Sequence, residues 1–235
     1  MPMDATKLVE AILKAHAAEM HGGQGAQRPV VTLSRDYGSG GREIAQQLAK
    51  HLTVPVYDKE LLDAVVEQSG ANPHLMAQLD EKTRGFWDSW IVSMLSGENV
   101  LDDNYRRHLV KVVLGILNTG NGGVIIGRGA HLVLAQQDVF RVRIIASPET
   151  CAERIAHKRQ ISLEEAGEEV ARVNADRSRF IGDVFKKRLN EPTAFDLTIN
   201  TDHLSKYEEV AEIIISAMQY HHRSLSQDKS GPVRR

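Results

Sequence analysis

The segment Ser34-Arg35-Asp36-Tyr37-Gly38-Ser39-Gly40-Gly41-Arg42-Glu43 packs three glycines into four residues with arginines on both sides. It lies between a β-rich run, Val30-Val31-Thr32-Leu33, and a helical pattern from about Arg42 to Leu52. A glycine-rich turn from strand to helix lets successive backbone N–H groups close on an oxyanion, and the helix dipole adds to the attraction. Phosphate is the natural guest. The plainer alternative is a tight turn that uses glycine's freedom at positive φ. A phosphate loop of the form G-x-x-x-x-G-K-[ST] carries a lysine for the outer phosphates and a hydroxyl for magnesium. With Gly40 at the second glycine, Arg35 stands at the first glycine and Gly41 at the lysine, and neither Arg42 nor Glu43 offers the hydroxyl. The phosphate reading therefore assigns backbone donors to Gly38, Ser39, Gly40 and Gly41 and leaves the positive charge to Arg42 or Arg35.

Other arginines sit where they would serve the same chemistry. Arg128 follows an apolar run, Val124-Ile125-Ile126, and Arg172, Arg177 and Arg179 lie in a charged helical stretch. The planar guanidinium suits phosphate and keeps its charge at any accessible pH. For the helical arginines the competing reading is a solvated face paired to Glu168 and Glu169. Asp58, just past Val54-Pro55-Val56-Tyr57, fits two compatible roles: a magnesium or substrate-hydroxyl ligand, and the N-cap of the following helix. Glu60 and Asp36 are weaker candidates for the same cation. The histidines, His108, His131 and the pair His221-His222 among them, show no zinc-ligand spacing, and Ser39 lies in a glycine loop, not a nucleophile elbow.

These residues need elements to hold them. Short apolar runs alternate with long helical patterns: 30–33, then 54–57, 124–126, 140–145 and 195–199 as strands, with helices at about 42–52, 59–68 and 205–220. Such alternation predicts a parallel sheet covered on both faces, with ligands at the carboxyl ends of the strands. Pro55 predicts an early or edge position for the second strand. Ser147-Pro148 and Ser162-Leu163-Glu164-Glu165 mark helix starts, the latter a capping box. Residues 73–120 read as two or three inserted helices, with Phe86, Trp87, Trp90, Ile91, Met94 and Leu95 as packing residues. Residues 1–27 read as an amphipathic helix (5–20) plus a glycine-rich linker, the helix packing on the domain or on a second copy. The main α/β domain spans 28–223, and 224–235 form a polar tail.

At 235 residues the chain suits one domain with extensions. Apolar and charged fractions of 42% and 26% are ordinary, and a net charge of −2 argues against a duplex-binding surface. Cys151 is the only cysteine, which suits a reducing compartment, and no apolar run approaches the roughly 20 residues of a membrane span. The expectation is a cytoplasmic protein without nucleic-acid or membrane partners; a homodimer is possible through the apolar insertion.

Several segments resemble the cytidylate kinase-like family. Ser34 to Ala45 is similar to that family's phosphate loop, which also lacks the usual lysine. Tyr57-Asp58-Lys59-Glu60-Leu61, Val124 to Ala130 and Leu197-Thr198-Ile199-Asn200-Thr201 resemble its second, third and last strand regions. The resemblance implies a three-layer α/β/α parallel sheet of P-loop nucleotide kinase type, with a helical insertion and an arginine-bearing lid at about 160–190. Arg128 matches an arginine that grips the substrate nucleotide in cytidylate kinases, although Gly129 replaces the aspartate that follows it. Arg172, Asp176 and Arg179 match lid positions, with Val173 in place of an aspartate. The implied activity is transfer of the γ-phosphoryl group of ATP, or another nucleoside triphosphate with Mg2+, to a small acceptor, a nucleoside monophosphate being the first guess. Arg42, Arg128, Arg172, Arg179 and Asp58 would act in catalysis. Arg35, Gly38, Ser39, Gly40, Gly41, Arg42 and Glu43 would hold the nucleotide. A catalytically impaired nucleotide sensor and a kinase for a non-nucleotide acceptor stay open beside it.

Overall fold

Apolar residues fill adjacent positions in the runs Val30-Val31 and Val124-Ile125-Ile126, so both faces of the sheet there have to be covered. The computed structural model describes residues 4–19, 28–71 and 100–228, and it meets that requirement with five parallel strands between helical layers. In chain order the elements are α1 (Ala5–Glu19), β1 (Val30–Arg35), α2 (Gly41–Leu52), β2 (Val56–Tyr57), α3 (Lys59–Ala71) and α4 (Val100–Asn118). There follow β3 (Gly123–Ile126), α5 (Ala130–Val133), β4 (Phe140–Ile145), α6 (Pro148–Arg159), α7 (Leu163–Phe185), a 3-10 turn (Pro192–Ala194), β5 (Leu197–Asn200) and α8 (Tyr207–Asp228). The strand order β2-β3-β1-β4-β5 puts β1 at the centre, with Leu33 opposite Ile126 on one side and Ser34 opposite Arg143 on the other.

Pro55 has the expected effect. It has no N–H to give the ladder, so β2 starts only at Val56, shorter than the 54–57 pattern, and lies at the sheet edge. The Pro55 carbonyl still accepts from Val124 N–H at 2.9 Å.

Side-chain alternation divides the core. Val31, Leu33, Val124, Ile126, Val142 and Ile144 face α2 and α8. Val30 and Ile125 face a second cluster built with α1, α3, α4, α5 and α7. On β4 that second face carries Arg141 and Arg143 instead of apolar residues; Arg141 pairs with Asp196, and Arg143 is drawn into the site described below. A third cluster joins Cys151, Ala152 and Ile155 of α6 to Ala166 and Val170 of α7.

Both marked helix starts form: Ser147 Oγ accepts from Thr150 N–H, and Ser162 with Glu165 completes a reciprocal capping box. Helix α8 runs to Asp228, past the expected end at 220, because no glycine or proline interrupts it before Gly231-Pro232. His221 is half-buried, its ring edge-on to Phe140 at 5.5 Å. Helix α4 is the described end of the insertion. The insertion's Phe86, Trp87, Trp90, Ile91, Met94 and Leu95, the linker at 21–27 and residues 229–235 lie outside the described residues.

Helix α1 packs back on its own domain, against α3 and α4, with Leu8 0% and Ile12 2% exposed. Truncating a buried leucine removes transfer free energy and leaves a cavity. Leu8→Ala should therefore lower the unfolding free energy by about 2–4 kcal/mol in a denaturant titration. An unchanged midpoint would mean that α1 is not docked in solution.

Candidate active site

The loop at 34–43, the turn at 58–60 and the turn at 127–129 end up at the carboxyl edge of the sheet, because each directly follows a parallel strand. The loop after β1 enters α2 through Gly40, whose φ of 78° is left-handed and whose missing Cβ leaves room for the Tyr207 ring. The backbone N–H groups of Gly38, Gly40, Gly41 and Arg42 find no protein acceptor among the described residues, so four donors stand open around the start of α2. Ser39 differs. Its amide turns toward the Asp36 carbonyl at 3.4 Å, its hydroxyl donates to the same oxygen at 2.9 Å, and its carbonyl accepts from Thr201 Oγ1 at 2.8 Å.

Arg35 is the last residue of β1, and its side chain passes across the helix start. A Cβ on Gly41 would sit 2.6 Å from Arg35 Cβ, and one on Gly127 would sit 2.5 Å from Arg35 Nη1. The guanidinium thus spans from the loop to the end of β3. It makes no hydrogen bond or ion pair among the described residues; Glu60 and Asp58 attract it only from a distance. Burial, then the neighbouring Arg177 and Arg42, press its pKa down to about 9, which still leaves it charged at neutral pH. A half-buried guanidinium beside open amides has the chemistry to receive an anion.

The groups that hold this loop were largely invisible to sequence reasoning. Arg143, 4% exposed on β4, donates to Ser34 Oγ at 3.0 Å, to Asn190 at 2.9 Å and to the Asp36 carboxylate. Asp36 is therefore a structural partner of Arg143 as well as a turn residue. Arg154 on α6 donates to the side chain and carbonyl of Thr201, behind Ser39. From α7, Asn174 accepts from Tyr37 N–H at 2.8 Å, Glu169 accepts from Tyr37 Oη at 2.9 Å, and Arg177 donates to the Arg35 carbonyl at 2.9 Å. The one available signal was the arginines at alternate positions of an otherwise apolar strand, since a charge buried there must be paired.

Arg42 is ion-paired to Asp58 at 2.9 Å and more loosely to Glu60 at 3.4 Å. Asp58 takes the capping role: its Oδ1 accepts from Leu61 N–H at 3.1 Å while Oδ2 holds Arg42. Glu43, at the third position of α2, pairs with Lys158. Burial raises its pKa, and the Lys158 hydrogen bond outweighs that and holds the carboxyl below its usual range.

Beyond β3, Gly127, Arg128 and Gly129 are all left-handed, with φ of 76°, 52° and 70°. For an L-residue such as Arg128 that conformation costs about 1–2 kcal/mol. It turns the side chain into a bidentate grip on Asp63, from Nε at 2.9 Å and from Nη2. The guanidinium stacks over Phe180 at 4.5 Å, and Tyr105 donates to the same carboxylate at 2.7 Å. Burial works against the Asp63 charge, but Arg128 and Tyr105 keep its pKa low.

Two cavities flank Arg35. The larger, about 1150 Å3, is lined by the loop from Arg35 to Glu43 and by Arg154, Lys158 and Tyr207. The smaller, about 270 Å3, is lined by Lys59, Arg128, His131, Asp176 and Phe180. Arg35, Glu60 and Arg177 border both. On α7, Val173, Arg177 and Phe180 recur at helical spacing and face the cavities. Arg172 and Arg179 lie on the outer face, 66% and 69% exposed, each near Asp176 at 3.6 and 3.4 Å. Helical periodicity thus brings Arg177 to the site, and the arrangement described leaves Arg172 and Arg179 facing solvent.

A five-stranded parallel sheet with an anion-ready strand-to-helix loop at its central strand defines a protein of P-loop kinase type. Within that class the chain belongs to the cytidylate kinase-like family, whose model matches residues 30–203. Membership supports a nucleotide-dependent kinase in general, together with the nucleotide and Mg2+ that kinases of this kind use. No curated protein matches the chain significantly. Among solved structures, an uncharacterized protein from Eubacterium ventriosum ATCC 27560 is similar at 18% identity and TM-score 0.62, over 81% of this chain and 98% of that one. A shikimate kinase from Acinetobacter baumannii, in complex with shikimate, aligns at 13% identity and TM-score 0.45, over 83% and 95% of the two chains. One from Bacteroides thetaiotaomicron aligns at 15% and 0.44, over 84% and 98%. Likenesses this distant say nothing of this chain's acceptor. Among the described residues no helix is long and apolar enough to cross a membrane, and no three His, Cys, Asp or Glu side chains converge as a metal site.

His131, in the wall of the smaller cavity, is 3% exposed and stacks on Phe195 at 4.7 Å. Burial, then Arg143 and Arg141, push its pKa down to about 3, so the folded ring is neutral, and its Nε2 has no hydrogen-bond partner among the described residues. The unfolded chain takes up the proton near 6.5, so this contribution to stability is complete above that pH and declines as pH falls toward 3. Between pH 7.5 and 5.5 the wild-type protein should lose on the order of 1 kcal/mol more stability than His131→Phe. Parallel pH profiles of the two unfolding midpoints would show instead that the ring is accessible to protons in the fold.

Proposed function

We propose that the chain is a magnesium-dependent phosphotransferase that moves the γ-phosphoryl group of ATP, or another nucleoside triphosphate, to a small acceptor. The observation that carries this reading is the pair of cavities sharing Arg35, Glu60 and Arg177. In-line transfer needs donor and acceptor on opposite sides of the phosphorus, with positive charge between them. In this reading the open amides of Gly38, Gly40, Gly41 and Arg42 hold the triphosphate in the larger cavity, and the acceptor occupies the smaller one beside Arg128 and Lys59. The acceptor oxygen attacks the γ-phosphorus, the bond to the β–γ bridging oxygen breaks, and the diphosphate leaves with that electron pair.

Magnesium, when bound, would neutralise the β- and γ-phosphoryl oxygens. It commonly keeps several waters and takes only one or two carboxylates, so a single protein ligand suffices. Glu43 and Glu60 line the larger cavity and fit that need. Asp58 lines neither cavity and has both oxygens engaged, which favours the cap over the metal.

A nucleoside monophosphate is the first acceptor to test. An acceptor without a base is the second reading, and one contact favours it: the Phe180 ring in the acceptor cavity is covered by Arg128. The test is Mg2+-dependent turnover of ATP and GTP with nucleoside monophosphates and, separately, small hydroxylated carboxylates and sugar phosphates. The expected result is turnover of one acceptor class. Arg128→Ala should then raise the acceptor KM about 10-fold or more and leave the KM for the triphosphate within a few-fold. Tight triphosphate binding without transfer to any acceptor would move the assignment to a non-catalytic nucleotide sensor. Transfer with an unchanged acceptor KM would remove Arg128 from the acceptor site.

A further inference from the structure

We infer that Arg35 and Gly41 are a reciprocal exchange: the cation that a lysine-bearing phosphate loop carries at its helix start is carried here by the last residue of β1. The inference rests on the phosphate reading of the loop and assigns its missing charge to one side chain.

The argument is steric first. A side chain at position 41 would begin with a Cβ 2.6 Å from Arg35 Cβ and 3.0 Å from Arg35 Cγ. The arginine stem therefore occupies the first segment of the path that a lysine from position 41 would take. The two departures from G-x-x-x-x-G-K-[ST] are a single event, since a cation at 35 requires glycine at 41, and a lysine at 41 requires a small residue at 35. Gly127 completes the fit, because Arg35 Nη1 lies where its Cβ would be.

Charge pairing then separates Arg35 from its rivals. Arg42 is neutralised by Asp58 and Glu60, Arg143 by Asp36 and Arg128 by Asp63. Arg177 bonds the Arg35 carbonyl and lies over the Tyr37 ring, so it braces the loop. Arg35 alone of these five has neither a carboxylate nor a hydrogen-bond acceptor among the described residues, and its guanidinium borders both cavities. Its location also changes the chemistry. A lysine rising from α2 presents a point charge to the donor, whereas a guanidinium ending at β3 offers a planar fork at the junction where the transferring group meets its acceptor.

The experiment measures binding of tripolyphosphate, and of ATP with and without Mg2+, by titration calorimetry, with thermal unfolding as the check on folding. Arg35→Gln should weaken both ligands about 10- to 100-fold, the loss of a charged phosphate contact, and Arg42→Ala should cost clearly less. Gly41→Lys alone should bind poorly, because the new side chain meets the Arg35 stem. The double variant Arg35→Gly/Gly41→Lys should recover most of the affinity. A larger loss in Arg42→Ala than in Arg35→Gln, or a double variant no tighter than Arg35→Gly, overturns the exchange. ATP binding indifferent to Arg35 sinks this assignment and leaves the kinase reading in place. Tripolyphosphate binding that depends on Arg35, without ATP binding, keeps the assignment and sinks the kinase reading. Binding of neither ligand by the wild-type protein overturns both.

Discussion

Four guanidinium groups, those of Arg35, Arg42, Arg143 and Arg177, are gathered around the end of one central strand, and their mutual repulsion is the constraint that the neighbouring structure answers. Like charges at this spacing and partial burial are tolerated only with opposite charge or fixed dipoles close by. Asp36 answers Arg143, Asp58 and Glu60 answer Arg42, and the Arg35 carbonyl and the Tyr37 ring receive Arg177. Even the cap of α3 belongs to this pattern, since the Asp58 carboxylate divides itself between Leu61 N–H and Arg42. The charge left over belongs to Arg35, and it sits beside the open amides of α2.

The scaffold makes that concentration of charge affordable. A parallel sheet buried on both faces fixes β1 between β3 and β4, so the residues leaving those strands are held by the hydrogen-bond ladder and by two apolar cores. The loop is then clamped from outside the sheet, by Arg154 through Thr201 on one side and by Asn174, Glu169 and Arg177 of α7 on the other. Helix α7 is thereby both a wall of the two cavities and the brace of the loop between them. Displacing it would loosen the loop and open both cavities together.

Much of this was legible in the residues. The strand runs, the capping residues Ser147 and Ser162, and the edge position imposed by Pro55 are local matters of periodicity and backbone chemistry, and they formed where expected. The loop from Ser34 to Glu43 was equally plain, because three glycines before a helix constrain the backbone whatever surrounds them. The resemblance to the family's lid points to Arg172 and Arg179. The rotation of α7 sets both on its outer face and puts Arg177, with Val173 and Phe180, on the stripe that Ile181, Val184 and Phe185 bury. Arg154, His131 and Tyr207 gave no local signal of a role, and Arg143 gave only its place in an otherwise apolar strand, because each works through partners between 47 and 167 residues away.

The sequence by itself determined the sheet class, the phosphate-type loop and the absence of its lysine, since all three are properties of short contiguous segments. Only the tertiary structure decided which arginine is left without a carboxylate or acceptor among the described residues. That question turns on distances between residues far apart in the chain: Arg42 to Asp58, Arg143 to Asp36, Arg128 to Asp63, and Arg35 to the bare Cα atoms of Gly41 and Gly127. Electrostatic and steric energies depend on separation in space, and the one-dimensional order of residues carries that separation only after the strands have paired and the helices have packed.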